Sequence, residues 1–201
     1  MNKIYFFICL FAFSSSCGDV DSNSSPTEYA SINTTQESSS EKSSIIGKIS
    51  LTSNKMCNHN SDSGLFQLTL SGTNSEQLDI KIKGFTKSNK KYTCTQASDN
   101  KNSSLGDKFE SCMVELSLQS QNQQNTLNTY AMHRASEDIA ALDYNSECSV
   151  DISYDSVLNK VSGTLKCLAL QQTKYNGQNR NPLNSNVTID ITQGSTFFCD
   201  L

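Results

Sequence analysis

The chain has 201 residues, with 16 Lys and Arg against 20 Asp and Glu, a net charge of −4 and a pI near 5.1. That balance gives no basic surface to draw in phosphate backbones, so the usual electrostatics of nucleic-acid binding are excluded. Eight Cys, no Trp and two His leave few side chains suited to general acid–base chemistry and turn attention to the sulfurs.

Lys3 is followed by ten apolar residues, Ile4 to Phe13, then by Ser14, Ser15, Ser16 and Cys17. A membrane-spanning helix needs about 20 apolar residues, so this short run reads as a secretory signal peptide over residues 1–16. Ser14-Ser15-Ser16-Cys17 resembles the lipobox of bacterial lipoproteins, whose cysteine is acylated and becomes the first residue of the mature chain. Most of that family has Leu where Ser14 stands here. The resemblance implies lipidation at Cys17 by a diacylglycerol, often with a further palmitate-like N-acyl chain. It also implies attachment to a membrane through that lipid anchor, since two or more chains hold a domain stably. Gly18, in place of the Asp that marks inner-membrane retention, points to the outer membrane. Cysteine parity agrees: with Cys9 removed and Cys17 acylated, six remain, an even set for an exported chain.

Residues 18–44 are rich in Ser, Thr, Asn and Glu, with Val20, Tyr29, Ala30 and Ile32 as their only larger apolar side chains. Such a segment offers little to bury against its ordering entropy and is predicted to be a disordered tether. The folded domain is therefore placed at 45–201.

Within that domain apolar residues recur with period two. Leu78, Ile80 and Ile82 alternate with Asp79, Lys81 and Lys83. Phe66, Leu68 and Leu70 share a face, as do Cys112, Val114, Leu116 and Leu118, then Cys148, Val150, Ile152 and Tyr154, then Val187, Ile189 and Ile191. Strands are predicted near 45–52, 65–71, 78–85, 90–95, 109–119, 127–133, 148–154, 160–169, 186–192 and 195–200. One short helix is expected over Ser136–Leu142, with Ser136 as N-cap and acids in its first turn. The pattern defines an all-β fold, a disulfide-bonded antiparallel β-sandwich because the turns are uneven in length, with a β-barrel as the alternative.

Five of the six domain cysteines share the apolar parity of their strands, as buried disulfides of an exported domain do. Cys148 and Cys167 lie symmetrically about a turn near Val157 and Leu158. Cys94 and Cys112 bracket the polar loop Thr95–Lys108, which leaves Cys57 and Cys199 to tie the ends of the domain. Cys94–Cys112, Cys148–Cys167 and Cys57–Cys199 are thus the expected bridges among many possible pairings. No Cys-x-x-Cys is present and the nearest approach to a ligand pair is Cys57-Asn58-His59, so no metal and no cofactor is expected.

His59 lies in a polar turn and His133 at a strand end, and no Gly-x-Ser-x-Gly elbow accompanies either. Asp99–Asp107 breaks the calcium-loop pattern, with Lys101 at a ligand position and no closing Glu. Asp143–Glu147 reads as a turn. The best binding candidate is the long polar loop Gln171–Ser185, which carries Tyr175 and Arg180, types favoured at interfaces. The loop Thr95–Lys108 comes second. The sequence is read as a non-enzymatic binding or interaction module at the cell envelope, with an envelope or surface protein as partner. The alternative is a small-ligand carrier whose barrel mouth is lined by Phe66, Tyr92, Tyr154 and Phe197, and an enzyme ranks third.

Overall fold

The computed structural model describes residues 29–38, 41–94, 111–119, 127–132, 146–175, 180–182 and 187–201. They form β1 (Ala30–Ser38), β2 (Glu41–Leu51), β3 (Ser53–Asn60), β4 (Leu65–Ser71), β5 (Gln77–Ile82), β6 (Lys90–Cys94), β7 (Cys112–Gln119), β8 (Leu127–Ala131), β9 (Glu147–Asp155), β10 (Lys160–Tyr175), β11 (Arg180–Pro182) and β12 (Val187–Asp200). Among the described residues there is no helix. The helix expected at Ser136–Leu142 lies outside them, as does the N-terminal stretch with Cys17.

All pairings are antiparallel and all strands belong to one sheet. Its order is β2-β1-β12-β10-β8-β7-β5-β4-β3, with β9 and β11 also on β10 and β6 on β9. The two ends of this order are consecutive in the chain: Thr52 alone separates β2 from β3. The amide of Thr52 donates to the Ser71 carbonyl at 3.0 Å. The sheet therefore curls back on itself, and of the two arrangements open to the alternating pattern it takes the nearly closed, barrel-like one. Closure hides strand edges that an open sheet would expose.

The period-two residues fill the inside. Phe66, Leu68 and Leu70 stand opposite Ile82, Ile80 and Leu78, which in turn face Cys112, Val114 and Leu116. Each is at most 2 % exposed, and burial of such a side chain contributes about 1.5–3 kcal/mol. From the other strands Ile32, Val150, Val161, Leu165, Ile191 and Phe197 join the same core.

The fold begins earlier than the composition indicates. The predicted boundary at residue 45 falls inside β2, and most of the predicted tether from Ala30 onward is strand. The reason is ladder geometry. β1 is paired on both sides, Ile32 with Ile49 and Thr34 with Ile191, and it turns Ala30, Ile32 and Thr34 inward. Two apolar residues suffice once the polar backbone is hydrogen-bonded on both flanks. His59 is also moved, from a predicted turn into β3, where it faces Phe66. The turn follows it, with Asn60 Oδ1 accepting from the amides of Asp62 and Ser63 at 3.0 Å each and Gly64 at φ 63°.

The two C-terminal strands predicted near 186–192 and 195–200 are one, β12, interrupted by a bulge. Between the pairs Leu165–Ser195 and Cys167–Ile191, Lys166 alone faces Thr192, Gln193 and Gly194. Gly194 takes φ 86° to make the detour. Buried Ser195 pins it: its Oγ accepts from the Asn33 amide at 2.9 Å and donates to the Thr192 carbonyl at 2.9 Å. On β10, Ala169 at φ 53° marks where β9 gives way to β8 as sheet neighbour.

Three disulfides join Cys57 to Cys199, Cys94 to Cys112 and Cys148 to Cys167. The first crosses the seam between β3 and β12, the second links β6 to β7, and the third lies within the β9–β10 ladder. Such bonds persist in oxidising compartments, which places the domain outside the cytoplasm.

Candidate functional site

The outer faces of β6, β9 and β10 carry a shared polar surface. Because Tyr92, Cys94, Cys148, Val150, Ile152, Leu165 and Cys167 point inward, strand alternation sends Lys91, Thr93, Ser149, Asp151, Thr164 and Lys166 outward. Register then assembles them. Lys91 stands opposite Asp151 and Thr93 opposite Ser149, while Asp151 faces Thr164 and Ser149 faces Lys166. The β12 bulge raises Gln193 and Gly194 beside them. The result is a depression of about 390 Å³ lined by Lys91, Ser149, Asp151, Thr164, Lys166 and Gln193, with the backbone of Gly194 and part of Leu165.

Its electrostatics are those of two cations around one anion. Lys91 and Lys166 are two strands and two residues apart, about 12 Å between backbones by sheet spacing, so their side chains can converge over Ser149 and Asp151. Among the described residues neither ammonium, nor the Asp151 carboxylate, is engaged in a hydrogen bond or ion pair. Ser149 and Thr164 add hydroxyls and Gln193 an amide. The set can hold an anionic group by charge, accept hydroxyl protons at Asp151 and read further polar groups with the hydroxyls.

A second polar cluster is buried. β7 is covered on both faces: besides its core side, Met113, Glu115 and Ser117 are at most 9 % exposed. Ser117 shares a 2.9 Å hydroxyl contact with Thr129, and Gln171, Thr173 and Thr188 are buried nearby on the neighbouring strands. Gln171 is 0 % exposed, and neither Oε1 nor Nε2 has a partner among the described residues. An orphaned buried polar group costs about 1–3 kcal/mol. Gln171→Met keeps the shape and removes both orphans, and it should raise stability by about 1–2 kcal/mol on that basis, read as a higher denaturant midpoint. A lower midpoint would show that the amide is hydrogen-bonded in solution.

The residues named from sequence are dispersed. Gln171–Tyr175 is strand rather than loop, with Thr173, Lys174 and Tyr175 pairing in register with Pro182, Asn181 and Arg180 of β11, so that part of the predicted binding loop is ladder. Residues 176–179 and 183–185 of that loop lie outside the described residues. So do His133, Asp99–Asp107, the whole of the Thr95–Lys108 loop and Asp143–Asn145; Glu147 is exposed on β9. His59 is half-buried and packs edge-on against Phe85 at 5.1 Å. Phe66, Tyr92 and Phe197, proposed as lining of a barrel mouth, are packed into the core. Tyr154 lies at the core's margin, its hydroxyl 2.9 Å from Asn159 Oδ1. Burial raises the Tyr92 hydroxyl above its ordinary pKa, and Tyr130 likewise, against a smaller opposing effect of its hydrogen bond with Asn128. Among the described residues no group of His, Cys, Asp and Glu is arranged to hold a metal ion, and no helix is long and apolar enough to cross a membrane.

Lys91, Asp151 and Lys166 were not singled out from sequence. Their outward parity was readable there, but the register that gathers them across three strands was not. Comparison with known proteins gives no match to any family model, curated protein or solved structure.

Proposed function

We propose that the protein is an exported lipoprotein, anchored through Cys17 at the outer membrane, whose disulfide-bonded β-domain works as a non-enzymatic binding module at the cell envelope. The observation that carries this reading is the contrast between inside and outside. Among the described residues the buried apolar side chains form one contiguous cluster, whereas the Lys91–Asp151–Lys166 depression opens outward with its charges unpaired by any described residue. A carrier needs room within the barrel, and the aromatic residues that would line such a cavity serve as packing. The external site fits a polar, anionic, hydroxyl-bearing ligand, such as a carboxylated saccharide of the envelope or of a partner's surface.

Calorimetric titration with a short oligogalacturonate, against a neutral maltooligosaccharide of equal length, tests the site. The acidic oligomer should bind and the neutral one should not. Lys91→Gln with Lys166→Gln should weaken binding at least tenfold without moving the thermal midpoint, since both side chains are exposed. Equal binding of the two oligomers, or none by either, would remove the depression as an acidic-saccharide site.

A further inference from the structure

The β9–β10 turn presents its apolar residues to solvent. Val157 is 91 % and Leu158 66 % exposed, more than any other large hydrophobic side chain among the described residues. Their position is built. Asp155 Oδ1 accepts from the amides of Val157 at 2.8 Å and Leu158 at 3.0 Å, and Asn159 closes the turn at φ 50°. Lysines surround this tip. Lys87 Nζ reaches Asn159 Oδ1 at 3.4 Å and lies 5.7 Å from the Tyr154 ring. Lys160 Nζ lies 4.0 Å from the Phe198 ring; Lys90 stands further back, opposite Ile152 of β9 and 5.0 Å from the Tyr92 ring. Acids lie here too among the described residues: Asp155, whose Oδ1 is committed to the turn, and Asp200, opposite Lys160, with Leu201, the last residue of the sequence, donating its amide to the Asn159 carbonyl at 2.9 Å.

The start of the described chain lies at this same end. Tyr29 packs on Phe198 at 5.1 Å, and its carbonyl accepts from the Phe198 amide at 2.8 Å. From there β1 runs away from the tip, Ala30 opposite Phe197 and Ser38 opposite Val187. Phe198 pairs with Ser162, four residues along β10 from Leu158, or about 13 Å. The chain that comes from Cys17 therefore joins the barrel beside the tip. Cys17 is twelve residues before Tyr29, which can span at most about 40 Å.

We propose that the Val157–Leu158 tip rests in the interfacial layer of the membrane that holds the Cys17 lipid, with Lys87 and Lys160 over its anionic headgroups. This rests on the lipoprotein reading. Two apolar side chains are too few to hold a free domain at a bilayer, but the anchor keeps them within reach of one, and the lysines complement an anionic surface. The barrel then stands upright. The Tyr175–Arg180 hairpin is about 50 Å away along β10, and the Lys91–Lys166 depression opens sideways, clear of the lipid.

The chain has no Trp, so a single introduced indole reports its own surroundings. The mature acylated protein is reconstituted in vesicles of phosphatidylethanolamine and phosphatidylglycerol carrying brominated acyl chains, as Leu158→Trp, Val157→Trp and a distal control. Leu127→Trp serves as control, because Leu127 is exposed and lies at the far end, beyond the Thr129–Thr173 pair. The tip variants should emit at shorter wavelength in vesicles and be quenched at least twofold, with the control unquenched. Vesicle flotation reports the anchor separately. Protein that floats with its tip indoles no more quenched than the control overturns the proposal and leaves the anchor standing. Protein that neither floats nor carries acyl mass overturns both. A blue shift that grows with protein concentration without vesicles would make a second copy the occupant and would overturn the membrane contact.

Discussion

The Cys57→Ala, Cys199→Ala double variant should lose about 5 kcal/mol of unfolding free energy, whereas the equivalent Cys94–Cys112 and Cys148–Cys167 variants should each lose about 3 kcal/mol. The difference follows from loop length. The first bridge joins residues 142 apart and the others residues 18 and 19 apart, and the entropy that a cross-link removes from the unfolded chain grows with the logarithm of that separation. Because the dependence is logarithmic, the two short bridges inside the long loop change the estimate by only a few tenths of a kcal/mol. Position in the fold acts in the same direction. Cys57–Cys199 spans the seam where, among the described strands, β3 has β4 as its only sheet neighbour, so its loss releases both the unfolded chain and the closing strand. At the low end of the typical domain stability of about 5–15 kcal/mol, this variant is at or near unfolding at room temperature while the others remain folded. Urea midpoints of the three variants decide it; equal midpoints would refute the loop-length account.

What could be read from the amino acids depended on how local the information was. Parity along a strand is local, so the inward faces of β4, β5, β6, β7, β9 and the first half of β10 were legible, and with them the burial of Cys94, Cys112, Cys148 and Cys167. The Cys148–Cys167 bridge was legible for a related reason: a hairpin fixes register from its turn outward, and Val157–Leu158 marked that turn. β1 was hidden because its composition is that of a solvated segment, and only two flanking strands, β2 and the distant β12, give its polar backbone partners. Closure into a barrel was hidden likewise, since it depends on β2 continuing directly into β3 and on pairings of high sequence separation. The polar depression needed both parity and register over β6, β9 and β10 together with the β12 bulge, and none of its residues carries a motif. Gly194 was the one local sign of that bulge, and a glycine within an alternating run can equally mean a turn.

Gly163 and Phe197 should show strong energetic coupling. Gly163 lies in β10 between Ile152 of β9 and Phe197 of β12, at a position whose side chain would enter the core. A Cβ there would come within 2.7 Å of Phe197 Cζ and collide with the Asp151 carbonyl. The absent side chain is thus the space in which the Phe197 ring lies, and the ring covers backbone that glycine leaves bare, much as an aromatic residue rescues a glycine across a sheet. Gly163→Ala forces ring and backbone apart and should cost about 1–3 kcal/mol, as overpacking does. Phe197→Ala, at a residue 2 % exposed, should cost about 3–5 kcal/mol from lost burial and the cavity left behind. Together they should cost less than the sum by at least about 1 kcal/mol, because the new methyl enters room that the ring has vacated. The remainder will not vanish, since the Asp151 carbonyl is backbone and can yield only by shifting β9. Chemical denaturation of the four proteins in the cycle measures the coupling. Strict additivity would mean that β10 relieves the clash by moving as a whole, and that the fit of ring over glycine is not what sets the spacing of β9, β10 and β12 beneath the polar depression.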